Sequence, residues 1–208
     1  MRRCFFMVVS ATLLFVYTSA LSAVSAQFEL AKNLNSFTTF QADFSQKTIG
    51  STGRSMQTAA GKVWIKKPAG LRWQLITPSQ QLYVVNHQLM WIYDSDLMQA
   101  TVQHLTPSTA FSPALLLSNN AEQWLHQFLI SYQEKNGVQV FTLKSRQSDA
   151  AFTEIVLSFN RSVLVKMEMV DRLLQTTTFS FKNIKMNSPL APKLFEFVPP
   201  TGVDVVRQ

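Results

Sequence analysis

The feature that most constrains this chain is short-range alternation. In "FQADFSQK" (40–47), Phe40, Ala42 and Phe44 fall on one side and Gln41, Asp43 and Ser45 on the other. A period of two marks a half-buried β-strand. Strand-like runs recur in "KVWIKK", "LRWQLI", "QQLYVV", "QLMWIY" and "LMQATVQ". They resume in "FLISYQEK", "QVFTLKS", "FTEIVLSF", "VLVKMEMV" and "QTTTFSFKNIKM". Pro68-Ala69-Gly70, Asn86-His87, Asp94-Ser95-Asp96, Gly137, Asn160-Arg161 and Asp171-Arg172 supply the turns. "IGSTGRSMQTAAG" reads as a loop. Short turns between neighbouring strands predict antiparallel pairing.

Two segments break the pattern. "QFELAKNLNSF" places Phe28, Ala31, Leu34 and Phe37 at helical spacing. Between the two runs of strands, Ser112 can cap a helix that Pro113 starts and Ala114 to Leu117 continue; "AEQWLHQF" begins another. The expected class is mainly β, with a few helices covering one side of a strongly curved sheet.

The N-terminus reads differently. Arg2 and Arg3 precede an apolar run from Cys4 to Tyr17, and Val24 and Ala26 are the small residues before a cut. This predicts a cleaved export signal over 1–26 and a single domain over 27–208. Losing the two arginines takes the net charge from +7 to +5. Cys4, the single cysteine, leaves with the signal, so no disulfide supports the core. An exported basic chain is better matched to acidic partners than to nucleic acid, and a merely solvated basic surface is a better match still.

Reactive chemistry is hard to find. His87, His104 and His126 show no ligand spacing with Cys, Asp or Glu, and no nucleophile or phosphate-loop motif is present. Asp94 and Asp96 read as turn caps rather than calcium ligands, because their surroundings offer too few oxygens. Asp43 and Glu168 read as solvated strand carboxylates. The expectation is no catalytic residue, no metal and no cofactor. What the chain has in quantity is soft apolar surface, including 16 Phe and 4 Trp. Such residues build either a plain core or an apolar cavity under a curved sheet.

Four blocks bear on that choice. "FQADFSQK" (40–47), "GKVWIKKPAGLRWQLITP" (61–78), "LMWIYDSDLMQATV" (89–102) and "FEFVPPTGVDVV" (195–206) resemble the periplasmic outer-membrane lipoprotein carrier proteins, the LolA family. The blocks span nearly all of the chain after residue 26. The resemblance implies an incomplete, strongly curved antiparallel β-barrel, with an N-terminal helix and a helical insert forming a lid over an apolar cavity. It implies a periplasmic carrier that takes lipoprotein acyl chains from an inner-membrane ABC transporter and passes them to an outer-membrane receptor lipoprotein. The receptor is lipidated on a Cys that is missing here, which favours the carrier. A monomer is expected. A periplasmic lipid- or glycolipid-binding module of the same fold is the alternative.

On this resemblance Phe40, Phe44, Leu71, Trp73, Leu75, Leu89 and Trp91 line the acyl cavity, with plain core packing as the rival reading. Pro113, Leu115, Leu116 and Leu117 form the underside of the lid, or else an ordinary core helix. Relatives commonly carry Arg where Lys67 stands before Pro68, as a latch between barrel and lid. Lys cannot form the planar fork of Arg, so a weaker latch or an exposed lysine beside a turn are both open. Pro199, Pro200 and Gly202 are read as structural.

Overall fold

The computed structural model describes the backbone of residues 17–86, 89–105, 117–118 and 121–208, and side chains from residue 26 on within these ranges, apart from 122 and 123. It opens with helix α1 (Tyr17–Asn35). Six strands follow: β1 (Thr39–Ile49), β2 (Ser55–Lys66), β3 (Gly70–Thr77), β4 (Gln81–Asn86), β5 (Leu89–Asp94) and β6 (Gln99–His104). A short helix α2 (Glu122–Leu125) precedes β7 (Phe128–Lys135), β8 (Val138–Ser145), β9 (Phe152–Asn160), β10 (Val163–Asp171) and β11 (Thr176–Met186). A 3-10 turn (Pro192–Phe195) leads into β12 (Asp204–Arg207).

The twelve strands form one open sheet in the order β12-β6-β5-β4-β3-β2-β1-β11-β10-β9-β8-β7. Pairing is antiparallel except where β12 runs parallel to β6. That exception departs from the all-antiparallel expectation. Its cause is the long return of the chain's end across the sheet, which lets a strand dock in either direction.

Alternation gives the sheet two chemically different faces. On the inner face, register aligns Phe40 with Ile65, Ile65 with Leu71, and Leu71 with Val85. In the second half it aligns Met167 with both Phe179 and Leu157, and Leu157 with Phe141. These side chains join Leu30, Leu34 and Phe37 of the N-terminal segment in one core. Edge-to-face contacts run through it, with Phe40 and Phe181 at 5.6 Å and Phe141 and Phe159 at 5.8 Å.

Several details differ from the sequence reading. The buried stripe of α1 is Ala26, Leu30 and Leu34, followed beyond the helix by Phe37, while Phe28 is 67% exposed. Phe28 lies two residues from both Ala26 and Leu30, about 200° around the helix from each, so it faces water. Strand β2 begins at Ser55, taking in part of the expected loop, because β1 is long enough to pair with it as far as Ile49. Asn86 pairs with Leu89 and so belongs to the strand rather than the loop.

Candidate functional site: an inner apolar face tied to a helix by Lys67

The site is built from the first hairpin. Gly61 of β2 lets the Phe44 ring of β1 lie close over the backbone of β3. Phe44 then stacks on Trp73 with centroids 4.3 Å apart, and Trp73 meets Phe179 edge-on at 5.2 Å. Phe40, Phe44, Leu71 and Trp73 thus lie together on the inner face, all buried, with Leu75 partly buried beside them. Leu117 is also buried in this core. Pro113, Leu115 and Leu116 lie outside the described residues.

Leu89 and Trp91 do not join this group, which corrects their assignment to the cavity. Trp91 pairs with Val84, whereas the inner-face residues Met90 and Ile92 pair with Val85 and Tyr83. Leu89 and Trp91 therefore point outward, where Trp91 packs on Phe197 at 5.4 Å and Tyr93 packs on the same ring at 5.3 Å. The reason is that β5 is apolar on both faces, and the chain's last segment covers the outer one. On that outer face Arg72 also donates to the Leu194 carbonyl at 3.3 Å.

Lys67 sits in the turn between β2 and β3 and is more than a solvated lysine. Its ammonium donates to the Leu34 carbonyl in the last turn of α1 and lies 4.0 Å from the centroid of the Phe37 ring. A cation there complements the negative end of the helix. The main chain adds to the tie, since Lys67 N–H donates to Thr38 at 2.8 Å and Ala69 N–H to Ser118 at 3.0 Å. The hairpin thus touches both the end of α1 and the 117–118 segment. Nearby, Asn33 is buried and donates to Gln139 of β8 at 2.8 Å, a second polar tie between α1 and the sheet.

Burial pushes the Lys67 ammonium from the usual 10.5 down to about 8. Between these values the unfolded chain holds a proton that the folded chain has released. Stability therefore rises with pH through that window and is insensitive to this group below it. Wild type is expected to gain stability relative to Lys67→Met as pH climbs from 8 towards 10.5, as read by urea unfolding. A constant difference between the two proteins across the window would refute this.

The carboxylates have ordinary duties. Asp94 accepts N–H groups from Asp96 and Leu97, the expected turn cap. Asp43 accepts from Asn183 at 2.7 Å and pairs with Lys62 at 3.2 Å, contacts that hold it below the usual carboxylate range. Glu168 pairs with Lys166 at 2.8 Å. Sequence reasoning overlooked Leu30, Asn33 and the second half of the inner face. The alternation of Met167 with Met169 and of Phe179 with Phe181 was the signal for the last of these.

Fold and site define a domain made of one open β-sheet around an apolar interior. The family profile described as "Outer membrane lipoprotein carrier protein LolA" matches residues 35–198. An outer-membrane lipoprotein carrier protein of Legionella pneumophila (strain Corby) is 37% identical over 196 residues, covering 94% of this chain and 96% of the relative. One of Pseudomonas aeruginosa (strain UCBPP-PA14) is 38% identical over 175 residues, covering 84% of each. Among solved structures, an uncharacterized conserved protein of Thermus thermophilus shares the fold with a TM-score of 0.55 at 12% identity, covering 91% of this chain and 99% of that one. The chain belongs to the LolA family, whose members are carriers rather than enzymes.

Proposed function

We infer that this chain is a periplasmic carrier that shelters lipoprotein acyl chains against the inner face of its sheet. It takes them from an inner-membrane ABC transporter and delivers them to an outer-membrane receptor lipoprotein. The export signal is removed after Ala26, and the segment ending at Leu117 serves as the lid. The observation that carries this reading is the apolar inner face joined to the end of α1 by a releasable polar contact at Lys67. The names of the relatives agree with its coarser part, a lipoprotein carrier.

The energetics suit a carrier. A buried methylene is worth about 0.8 kcal/mol, so a chain of about 16 carbons favours an apolar host by roughly 12 kcal/mol. That excludes free diffusion through water. Delivery must then run downhill to a better binder, and the carrier's own hold must be moderate. Closing the apolar face on itself when empty moderates it, because the cargo has to displace contacts already made.

Depleting the protein in its native host is expected to strand lipoproteins at the inner membrane, as read by membrane fractionation. Normal sorting after depletion would sink the reading. Native mass spectrometry of periplasmic protein should find a lipidated polypeptide bound. A free lipid or glycolipid in its place would favour the lipid-binding alternative.

A further inference from the structure

The outward turn of Leu89 and Trp91 leaves an open groove of about 680 Å³ on the outer face. Leu89, Trp91, Phe197 and Val198 give it an apolar floor, with His104 and Glu196 at its rim. A smaller hollow of about 290 Å³ shares Phe195 and Glu196 with it and extends to Lys66, Lys67 and Pro68. Asn86 lines both as well, so the two adjoin, and the smaller one borders the hairpin holding α1.

The groove wall has a second property. Glu196 is extended, with φ −109° and ψ 143°. Among the described residues, neither Phe197 nor Val198 makes a backbone hydrogen bond. Val198 is 83% exposed, an unusual setting for a branched apolar side chain. Open N–H and C=O groups at Phe197 and Val198, following the extended Glu196 and standing beside an apolar floor, are what a short peptide strand needs. Main-chain pairing supplies its hold and the floor selects a side chain. An acyl chain would leave those backbone groups without partners.

We propose that this groove binds the polypeptide of the lipidated cargo, as an extended segment close to its acylated end, with one bulky apolar side chain on the floor formed by Trp91 and Phe197. The inference rests on the carrier reading above. Its basis is continuity: on that reading the acyl chains leave the inner face beside the Lys67 hairpin, and the hollow lined by this hairpin adjoins the groove. Lipid and polypeptide are then held on opposite faces of the same strands.

The test places a photo-reactive benzoylphenylalanine at Val198, and at Leu97 as a control, since Leu97 is 71% exposed and lies in the β5–β6 turn at the other end of those strands. Full-length protein is expressed in its native host and irradiated. Adducts at 198 with the cargo polypeptide near its acylated end are expected, with few at 97. Adding Leu89→Asp should lower the 198 adduct several-fold per cargo loaded. Normal loading without a 198 adduct, or adducts only with acyl chains or with a different protein, would overturn the groove assignment while leaving the carrier reading intact. Absence of any loaded cargo would overturn both.

Discussion

Gly61→Ala is expected to be strongly destabilised, with its urea midpoint far below that of wild type. A Cβ at this position would stand 2.0 Å from the Gln74 carbonyl oxygen and 2.7 Å from the tip of the Phe44 ring. The oxygen belongs to the backbone of the neighbouring strand and cannot swing away. The ring cannot retreat either, because it is stacked on Trp73. Relief requires parting β2 from β3 where their register already shifts, between Ala60 and Gly61. The cost should be about 3 kcal/mol or more, at the upper end for an overpacked core. Gly53→Ala is the comparator. Its φ of +79° brings strain, but nothing lies within 4 Å of an added Cβ, so about 1 kcal/mol is expected. Urea midpoints read both, and an unshifted midpoint for Gly61→Ala would remove this glycine from the architecture of the site.

Lys67→Leu is expected to load cargo yet deliver it at least about tenfold more slowly, since 1.4 kcal/mol is a factor of ten and an apolar side chain of this size is worth about 1.5–3 kcal/mol when buried. In wild type, moving α1 away returns a desolvated ammonium to water, which assists opening. Leucine reverses that sign. It adds apolar surface where the acyl chains leave and so strengthens the hold on them. Transfer from purified loaded protein to the receptor measures the effect. Wild-type delivery by the variant would end the case for Lys67 as a latch. Lys67→Arg should keep delivery, because the longer cation can still reach the Leu34 carbonyl.

Most of the strand order was legible because alternation is a local signal, and the turns at Pro68 and Gly137 are written in local chemistry. Inside and outside were not always legible. On β1 the contrast of Phe40 and Phe44 with Asp43 and Ser45 settles the face. On β5, Leu89, Trp91 and Tyr93 are as apolar as Met90 and Ile92, so periodicity gives two equal faces. Only a segment more than a hundred residues later, carrying Phe195 and Phe197, decides between them. The partner of Lys67 was hidden for the same reason. Resemblance pointed to a latch on this residue, but the carbonyl it holds is that of Leu34 at the end of α1. The charge at position 171 was easier, since Asp-Arg is a turn pair and Asp171 does accept the N–H groups of Leu173 and Gln175.

Among the described residues, the two ends of the sheet, β7 and β12, are not hydrogen-bonded to each other. A closed barrel has its girth fixed by strand number and stagger. This sheet has a seam, so its circumference can change by flexing without breaking a single ladder bond. On the carrier reading proposed above, a container of that kind would have no set capacity. It would fit its wall to bulkier or slimmer contents and shrink onto its own side chains when they leave.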